Sequence, residues 1–124
     1  MSSLKKPVQE FTHFLLQRNI AHVVICPGSR NAPFIIDLAN HSAINTYSIV
    51  DERSAAFFAL GIAQQSGRPA VVISTSGTAA LNFAPALAEA YYQRIPIIAV
   101  TADRPEEWID QGEGQSIRQK DVFT

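Results

Sequence analysis

The sequence predicts an α/β domain built on a doubly wound, mainly parallel sheet with helices on both faces. Short, continuously apolar stretches such as AVVIS (70–74) alternate along the chain with longer segments of helical spacing. Strands that are apolar without interruption are typical of parallel sheets covered on both sides. Glycines, small polar residues and candidate functional charges follow several of these strands. In such sheets the loops after the strands form the binding edge.

The predicted elements alternate between helix and strand through the chain. They are a helix over 7–18, a strand over 22–26, a helix after residue 31, a strand over 44–50, a helix over 51–65, a strand over 70–74, a helix within 75–94 and a strand over 95–102. Val8, Phe11 and Leu15 give the first helix its periodicity. Asn31 is the predicted N-cap of the second helix, and the last helix is expected to bend at Pro85.

Composition and charge exclude several classes of protein. The chain has 124 residues, of which 47% are hydrophobic and 17% charged, so residues 1–124 are expected to form one domain with its own core. The net charge is −1 and no basic cluster exists, which predicts no nucleic acid and no anionic membrane as a partner. Cys26 is the single cysteine, so an internal disulfide is impossible.

Apolar runs and histidine spacing predict the location of the protein and the absence of metal ligands. The first residues lack the apolar core of a signal peptide, and the longest apolar runs are too short to span a bilayer. We therefore expect a cytoplasmic protein without a membrane span. The three histidines share no ligand spacing, so no metal ligands are assigned in this chain.

Four stretches are expected to meet at the carboxyl edge of the sheet. They are CPGSRN (26–31), VDERS (50–54), STSGT (74–78) and TADRP (101–105). Arginine binds a carboxylate through two parallel hydrogen bonds, so Arg30 and Arg104 on one edge suggest an anionic ligand. The alternative is that each arginine pairs with a neighbouring acid. The STSGT turn could face an anion or a ring, or it could be only a tight, well-capped turn.

The two carboxylates of VDERS have different expected roles. Asp51 is the natural N-cap of the helix that follows it. Glu52 lies between an apolar strand and an apolar helix, where it could exchange a proton with a ligand nitrogen, or it could simply favour the positive helix end. Cys26, at the end of a strand, is expected to be a small buried residue rather than a nucleophile.

Five motifs in order carry a resemblance to a known family. They are CPGSRNAPF, DERSAAFFALGIA, STSGTAALNFAPA, ADRP and GEGQSIRQ, and together they cover about residues 8–123. The arrangement resembles the pyrimidine-binding domain of thiamine diphosphate enzymes. More narrowly, it is similar to the 2-succinyl-5-enolpyruvyl-6-hydroxy-3-cyclohexene-1-carboxylate synthases of menaquinone biosynthesis, which are transferases.

The resemblance implies an activity and its cofactors. In that family thiamine diphosphate, held with Mg²⁺, supports decarboxylation of 2-oxoglutarate and addition of the resulting carbanion equivalent to isochorismate. The family's diphosphate and Mg²⁺ are bound by a separate domain, and no matching stretch occurs here. The chain is therefore expected to be an N-terminal piece of a longer, homodimeric or homotetrameric enzyme, inactive alone.

The resemblance also implies roles for individual residues. Glu52 would hydrogen-bond the pyrimidine ring nitrogen that activates the cofactor. Two pairs would pack on the pyrimidine, namely Pro27 with Gly28 and Gly77 with Thr78. The substrate-binding set would be Ser29, Arg30, Arg104 and Gln115, with Arg118 as a weaker candidate. The chain departs from the family's Gly-Ala-Asn before the glutamine, because Gly112, Glu113 and Gly114 stand there.

Three other readings remain open on the sequence. The chain could belong to another thiamine diphosphate enzyme of the acetolactate synthase or 2-oxoacid decarboxylase type, which would not need the arginine set. It could be a non-catalytic α/β module that binds a carboxylated metabolite. It could also be an interaction domain that uses Tyr91 and Tyr92 on the last helix.

Overall fold

A computed structural model describes residues 5–124, so residues 1–4, which the domain prediction included, lie outside the described residues. The elements in chain order are α1 (Lys6–Gln17), β1 (His22–Ile25), α2 (Ala32–Leu38), β2 (Asn45–Ser48), α3 (Glu52–Ser66), β3 (Ala70–Ser74), α4 (Thr78–Leu81), α5 (Ala84–Gln93) and β4 (Ile97–Thr101). A single 3-10 turn, Glu106–Trp108, follows β4 within the described part of the chain.

The four strands form one parallel sheet in the order β2-β1-β3-β4. Strand β2 lies on one side of β1, and the chain then crosses to the other side of β1 to form β3. The strand order therefore reverses between β1 and β3. In doubly wound sheets the crevice outside the carboxyl ends at such a reversal is where ligands bind.

Two apolar clusters cover the two faces of the sheet. One face packs against α3 and α5, through the residues Val24, Val72, Ala55, Ala56, Ala59, Ala63, Phe83 and Ala86. The opposite face packs against α1 and α2, through Val23, Ile25, Val71, Ile73, Leu15 and Leu38. Strand β3 is buried along its whole length, because it lies between two neighbours and under helices on both faces. The predicted doubly wound α/β class is confirmed.

Helix α3 is defined by its two ends. The Asp51 carboxylate accepts a hydrogen bond of 2.7 Å from the backbone N–H of Ser54, which is the predicted N-cap. Hydrogen bonds from the backbone and the side chain of Ser54 hold the pKa of Asp51 below its ordinary value. The helix ends at Gly67, which adopts a left-handed conformation with φ of 66°. Glycine is favoured there because a side chain would meet the following carbonyl.

Two local expectations differ from the structure. Asn31 lies directly before α2, but its side-chain oxygen accepts no hydrogen bond from that helix. Its amide nitrogen donates to the Cys26 carbonyl at 2.7 Å, which holds the side chain toward the end of β1. The segment with Pro85 is not one bent helix: α4 ends at Leu81, and Pro85 lies in the first turn of α5. Proline lacks the backbone N–H that a continuous helix needs, and the first turn does not use that group.

We expect opposite effects when alanine replaces two glycines of the α3 region. Gly67→Ala should destabilise the fold by about 1 kcal/mol, because alanine is strained at positive φ. Gly61→Ala should stabilise it by about 0.5–1 kcal/mol, because the added methyl meets open space and favours the helix. Urea unfolding of the two variants measures both values, and a shift of the same sign in both would contradict this account of α3.

Candidate active site at the carboxyl edge of the sheet

The loop after β1 is pressed against the loop after β3. A Cβ atom placed on Gly28 would lie 2.6 Å from Cβ of Thr75, closer than real atoms approach. Only glycine at position 28 therefore lets this loop pack against the Thr75 side chain at the point where the strand order reverses. The hydrogen bond from Asn31 to the Cys26 carbonyl closes the same loop, which carries Ser29 and Arg30.

Two buried polar atoms lie beside this contact. The amide oxygen of Asn31 would be 3.1 Å from a Cβ on Gly28, and it has no hydrogen-bond partner among the described residues. The Thr75 hydroxyl is likewise buried without a described partner. Buried polar atoms are normally hydrogen-bonded. The crevice thus offers one acceptor and one hydroxyl to a bound group.

Glu52 is the first residue of α3 and is half-buried. Asp51 already caps the helix, so capping does not account for Glu52. Burial, together with the negative charges of Glu52 and Asp51, raises the pKa of Cys26 to about 12. The negative charge of Glu52 is therefore felt by Cys26 at the end of β1, where the loop that carries Gly28 begins.

The apolar residues that precede and follow Glu52 in the sequence are more exposed to solvent than their composition suggested. The alanines of α3 face the sheet, whereas Val50 is 83% exposed and Phe57 43% exposed. The apolar residues next to Glu52 thus lie on the outer surface of this chain. Glu52 does lie between a strand and a helix with many apolar residues, but within the described residues Val50 and Phe57 face outward, because the helix turns its smallest side chains toward the sheet.

The segment after β4 returns to the same edge. The Ser76 hydroxyl donates to the Gln115 carbonyl at 2.9 Å. Gly77 has φ of 81°, and a Cβ there would lie 2.9 Å from the Gln115 backbone. Gly77 therefore contacts Gln115 directly, which is a reason for glycine that the sequence did not reveal. The Gln119 side chain accepts from the Gly77 N–H at 2.7 Å and donates to the Ala102 carbonyl at 2.9 Å.

The arginines of the edge differ in their partners. Arg104 donates through Nη2 to the Gly114 carbonyl at 2.7 Å, and the Arg30 guanidinium lies 5.8 Å from the ring centre of Trp108. Neither is in an ion pair within residues 5–124. Arg118, by contrast, pairs with Asp110 at 2.7 Å on the surface. Pairing with a neighbouring acid thus explains Arg118 and does not explain Arg30 or Arg104.

The remaining predicted residues lie on an open rim. Pro27, Ser29, Thr78 and Gln115 are exposed. The parallel register of the strands brings the four predicted stretches to one edge of the sheet. Across that edge Gly28 meets Thr75, and the stretches that carry Gly77 and Arg30 contact the segment after β4. Sequence reasoning missed Asn31 as the residue that closes the first loop, and it missed Gln119. Gln119 is the last residue of the GEGQSIRQ motif, but that stretch is polar and without periodicity, so the motif did not indicate what its side chain contacts.

Within the part of the chain that the structure describes, no three His, Cys, Asp or Glu side chains lie close enough together to hold a metal ion. None of the helices described there is long and apolar enough to cross a membrane.

The fold and the edge define a doubly wound α/β domain with a ligand crevice at its strand reversal. A family model described as thiamine pyrophosphate enzyme, N-terminal TPP binding domain, matches residues 8–122. The chain belongs to this family, whose cofactor is also called thiamine diphosphate. The resemblance read from the five motifs is confirmed at this level.

Curated relatives carry a narrower name. A 2-succinyl-5-enolpyruvyl-6-hydroxy-3-cyclohexene-1-carboxylate synthase of Christiangramia forsetii is 59% identical over 86% of this chain and 18% of the relative. Proteins of the same name from Bacteroides fragilis and Flavobacterium johnsoniae are 50% and 57% identical, over 99% and 86% of this chain and 22% and 19% of each relative. The chain spans about a fifth of the length of these relatives.

The residues at the edge fit an aminopyrimidine ring. Such a ring presents nitrogens that accept hydrogen bonds and an amino group that donates them. Glu52 supplies a carboxyl group that can donate to a ring nitrogen when it carries the proton. The unpartnered Asn31 oxygen can accept from the amino group, and the Thr75 hydroxyl can donate or accept. The donor and acceptor set of this chain therefore matches the pyrimidine part of thiamine diphosphate.

We expect Cys26 to resist thiol reagents. Burial keeps its pKa near 12, so almost no thiolate exists at pH 8, and the thiolate is the reactive form. Labelling with iodoacetamide should be slow in the native protein and fast in urea. Because burial is the main cause of the raised pKa, Glu52→Gln should leave labelling slow. Rapid native labelling at pH 8 would contradict the buried, unreactive assignment.

Proposed function

We propose that this chain is the pyrimidine-binding part of a thiamine diphosphate-dependent transferase. The whole enzyme would decarboxylate 2-oxoglutarate and add the resulting succinyl carbanion equivalent to isochorismate, in menaquinone biosynthesis. The proposal is supported by the name of the relatives and by the five motifs. The observation that carries it is the position of Glu52 on the first turn of α3, at the strand-end crevice, with Asp51 supplying the cap in its place.

Bound thiamine diphosphate supplies the nucleophilic carbon that attacks the 2-oxoacid and stabilises the negative charge left by decarboxylation. The residues of this chain bind and orient it. Glu52 holds a proton at its carboxylate oxygen in a hydrogen bond with the pyrimidine nitrogen. Pro27, Gly28, Gly77 and Thr78 contribute the backbone around the ring, since the two glycines let three chain segments meet there.

Substrate carboxylates are assigned to Ser29, Arg30, Arg104 and Gln115. Both proposed substrates are dicarboxylates, which suits two arginines that are not in ion pairs. The ring of Trp108 orients the Arg30 guanidinium without neutralising it. Arg118 is not included, because it is paired with Asp110.

The rest of the proposal concerns parts beyond this chain. The relatives are about five times longer, which is consistent with Mg²⁺ and the diphosphate being held in another domain. A homodimer or homotetramer is supported by the exposed apolar residues Val50, Phe57 and Phe58 beside the α3 start. The expected cytoplasmic location stays a prediction.

The test of the function replaces Glu52 in the full-length enzyme. Glu52→Gln should lower kcat by about 10²- to 10⁴-fold, the usual contribution of a positioned acid or base. The matched control is Asp51→Asn, which alters the adjacent carboxylate and should leave kcat within a few-fold. Turnover of isochorismate with 2-oxoglutarate, thiamine diphosphate and Mg²⁺ is measured by absorbance. Equal rates for Glu52→Gln and the wild type would contradict the role of Glu52.

Arg30 tests the choice of substrates separately. Arg30→Ala should raise KM for isochorismate by about 10- to 150-fold, because a hydrogen bond to a charged group contributes about 1.5–3 kcal/mol. Arg30→Lys should recover part of the loss, since it keeps the charge but not the two-pronged geometry. Arg68→Ala, an exposed arginine beyond the other end of α3, is the control. Full activity of Arg30→Ala would favour a different thiamine diphosphate enzyme.

A further inference from the structure

The side chain of Gln119 connects the loop after β3 to the loop after β4 through two hydrogen bonds. Its oxygen accepts from the Gly77 N–H at 2.7 Å, just after β3, and its nitrogen donates to the Ala102 carbonyl at 2.9 Å, just after β4. The residue is only 8% exposed. Both ends of the amide thus bond to the protein's own backbone.

Gln119 ends a short segment that begins at Gly114. The first residue of this 114–119 segment is held by Arg104, whose Nη2 donates to the Gly114 carbonyl. Its second residue, Gln115, is held by the hydroxyl of Ser76 and by backbone contact with Gly77. Gln119 is the attachment at the other end, and it is the one that also reaches the end of β4.

The backbone of Gln115 shows why such attachments are needed. Its φ is 55°, a left-handed conformation that is unfavourable for residues other than glycine. A conformation of this kind persists when surrounding contacts determine it. Two contacts hold Gln115 in this conformation. The Ser76 hydroxyl bonds to the Gln115 carbonyl, and the Gln119 amide fixes the far end of the segment.

We propose that Gln119 is a positioning residue that holds the 114–119 segment, and with it Gln115, on the carboxyl edge of the sheet. Its effect on substrate rests on the proposed function, in which Gln115 contacts substrate. Loss of the Gln119 amide would release the C-terminal half of the segment. Gln115 would then relax from its left-handed conformation and move from the crevice.

Two substitutions remove different parts of the interaction. Gln119→Met keeps the length of the side chain and removes both hydrogen bonds. Gln119→Glu keeps an acceptor for Gly77 but places a carboxylate against the Ala102 carbonyl, and only its protonated form can donate there. The matched control is Gln111→Glu, the same chemical change at an exposed glutamine after β4.

The first measurement is the rate of tryptic cleavage after Arg118 and Lys120 in the folded, full-length enzyme. We expect cleavage at least about tenfold faster in Gln119→Met and Gln119→Glu than in the wild type or Gln111→Glu. Thermal unfolding shows whether each variant is folded. If Gln119→Met does not fold, Ser76→Ala removes the neighbouring attachment of the same segment and should accelerate cleavage in the same direction. Unchanged cleavage in folded Gln119 variants would overturn the proposal.

The second measurement separates positioning from a merely structural role. KM for isochorismate should rise about tenfold in both variants while kcat changes less than threefold. Faster cleavage with unchanged KM would overturn the positioning of Gln115. If the wild type shows no turnover, the proposed function fails, and cleavage alone decides whether Gln119 holds the segment.

Discussion

The strand order reverses between β1 and β3, and this reversal determines where the loops of the site can lie. It leaves a crevice where two loops must approach each other closely, and Gly28 against Thr75 makes that approach possible. Because both neighbouring strands are buried and apolar, the loops cannot shift without disturbing the sheet. The candidate residues, including Glu52 at the start of α3, follow the strands and lie at the same carboxyl edge as this crevice.

The chain after β4 forms the second part of the binding surface. It has little regular structure, and hydrogen bonds from the side chains of Ser76, Arg104 and Gln119 hold it to the crevice. A rigid sheet edge and a segment attached by side chains thus share the binding surface. This division suits a site that must keep a carboxylate fixed and still admit a substrate, because the attached segment has fewer apolar contacts than the sheet.

The sequence was a good guide to the sheet and a partial guide to the site. Continuous apolar strands and the Asp51 cap follow from local patterns, and Glu52, Arg30 and Arg104 were predicted from their positions after strands or at a helix start. Local patterns could not show that Gly28 and Gly77 contact Thr75 and Gln115, since those contacts join distant parts of the chain. The hydrogen bonds of Gln119 also join distant parts of the chain, so the sequence did not predict them. The exposure of Val50 and Phe57 was also missed, because composition does not say which face of a helix meets the sheet.

We propose that this edge belongs to an enzyme that joins 2-oxoglutarate to isochorismate with thiamine diphosphate. The most direct measurement is a component-omission assay on the full-length protein, in which isochorismate disappearance is followed by absorbance. We expect consumption only when 2-oxoglutarate, isochorismate, thiamine diphosphate and Mg²⁺ are all present. Carbon dioxide release from a different 2-oxoacid, without isochorismate consumption, would keep the cofactor and contradict the substrates. No reaction under either condition would contradict the enzyme itself.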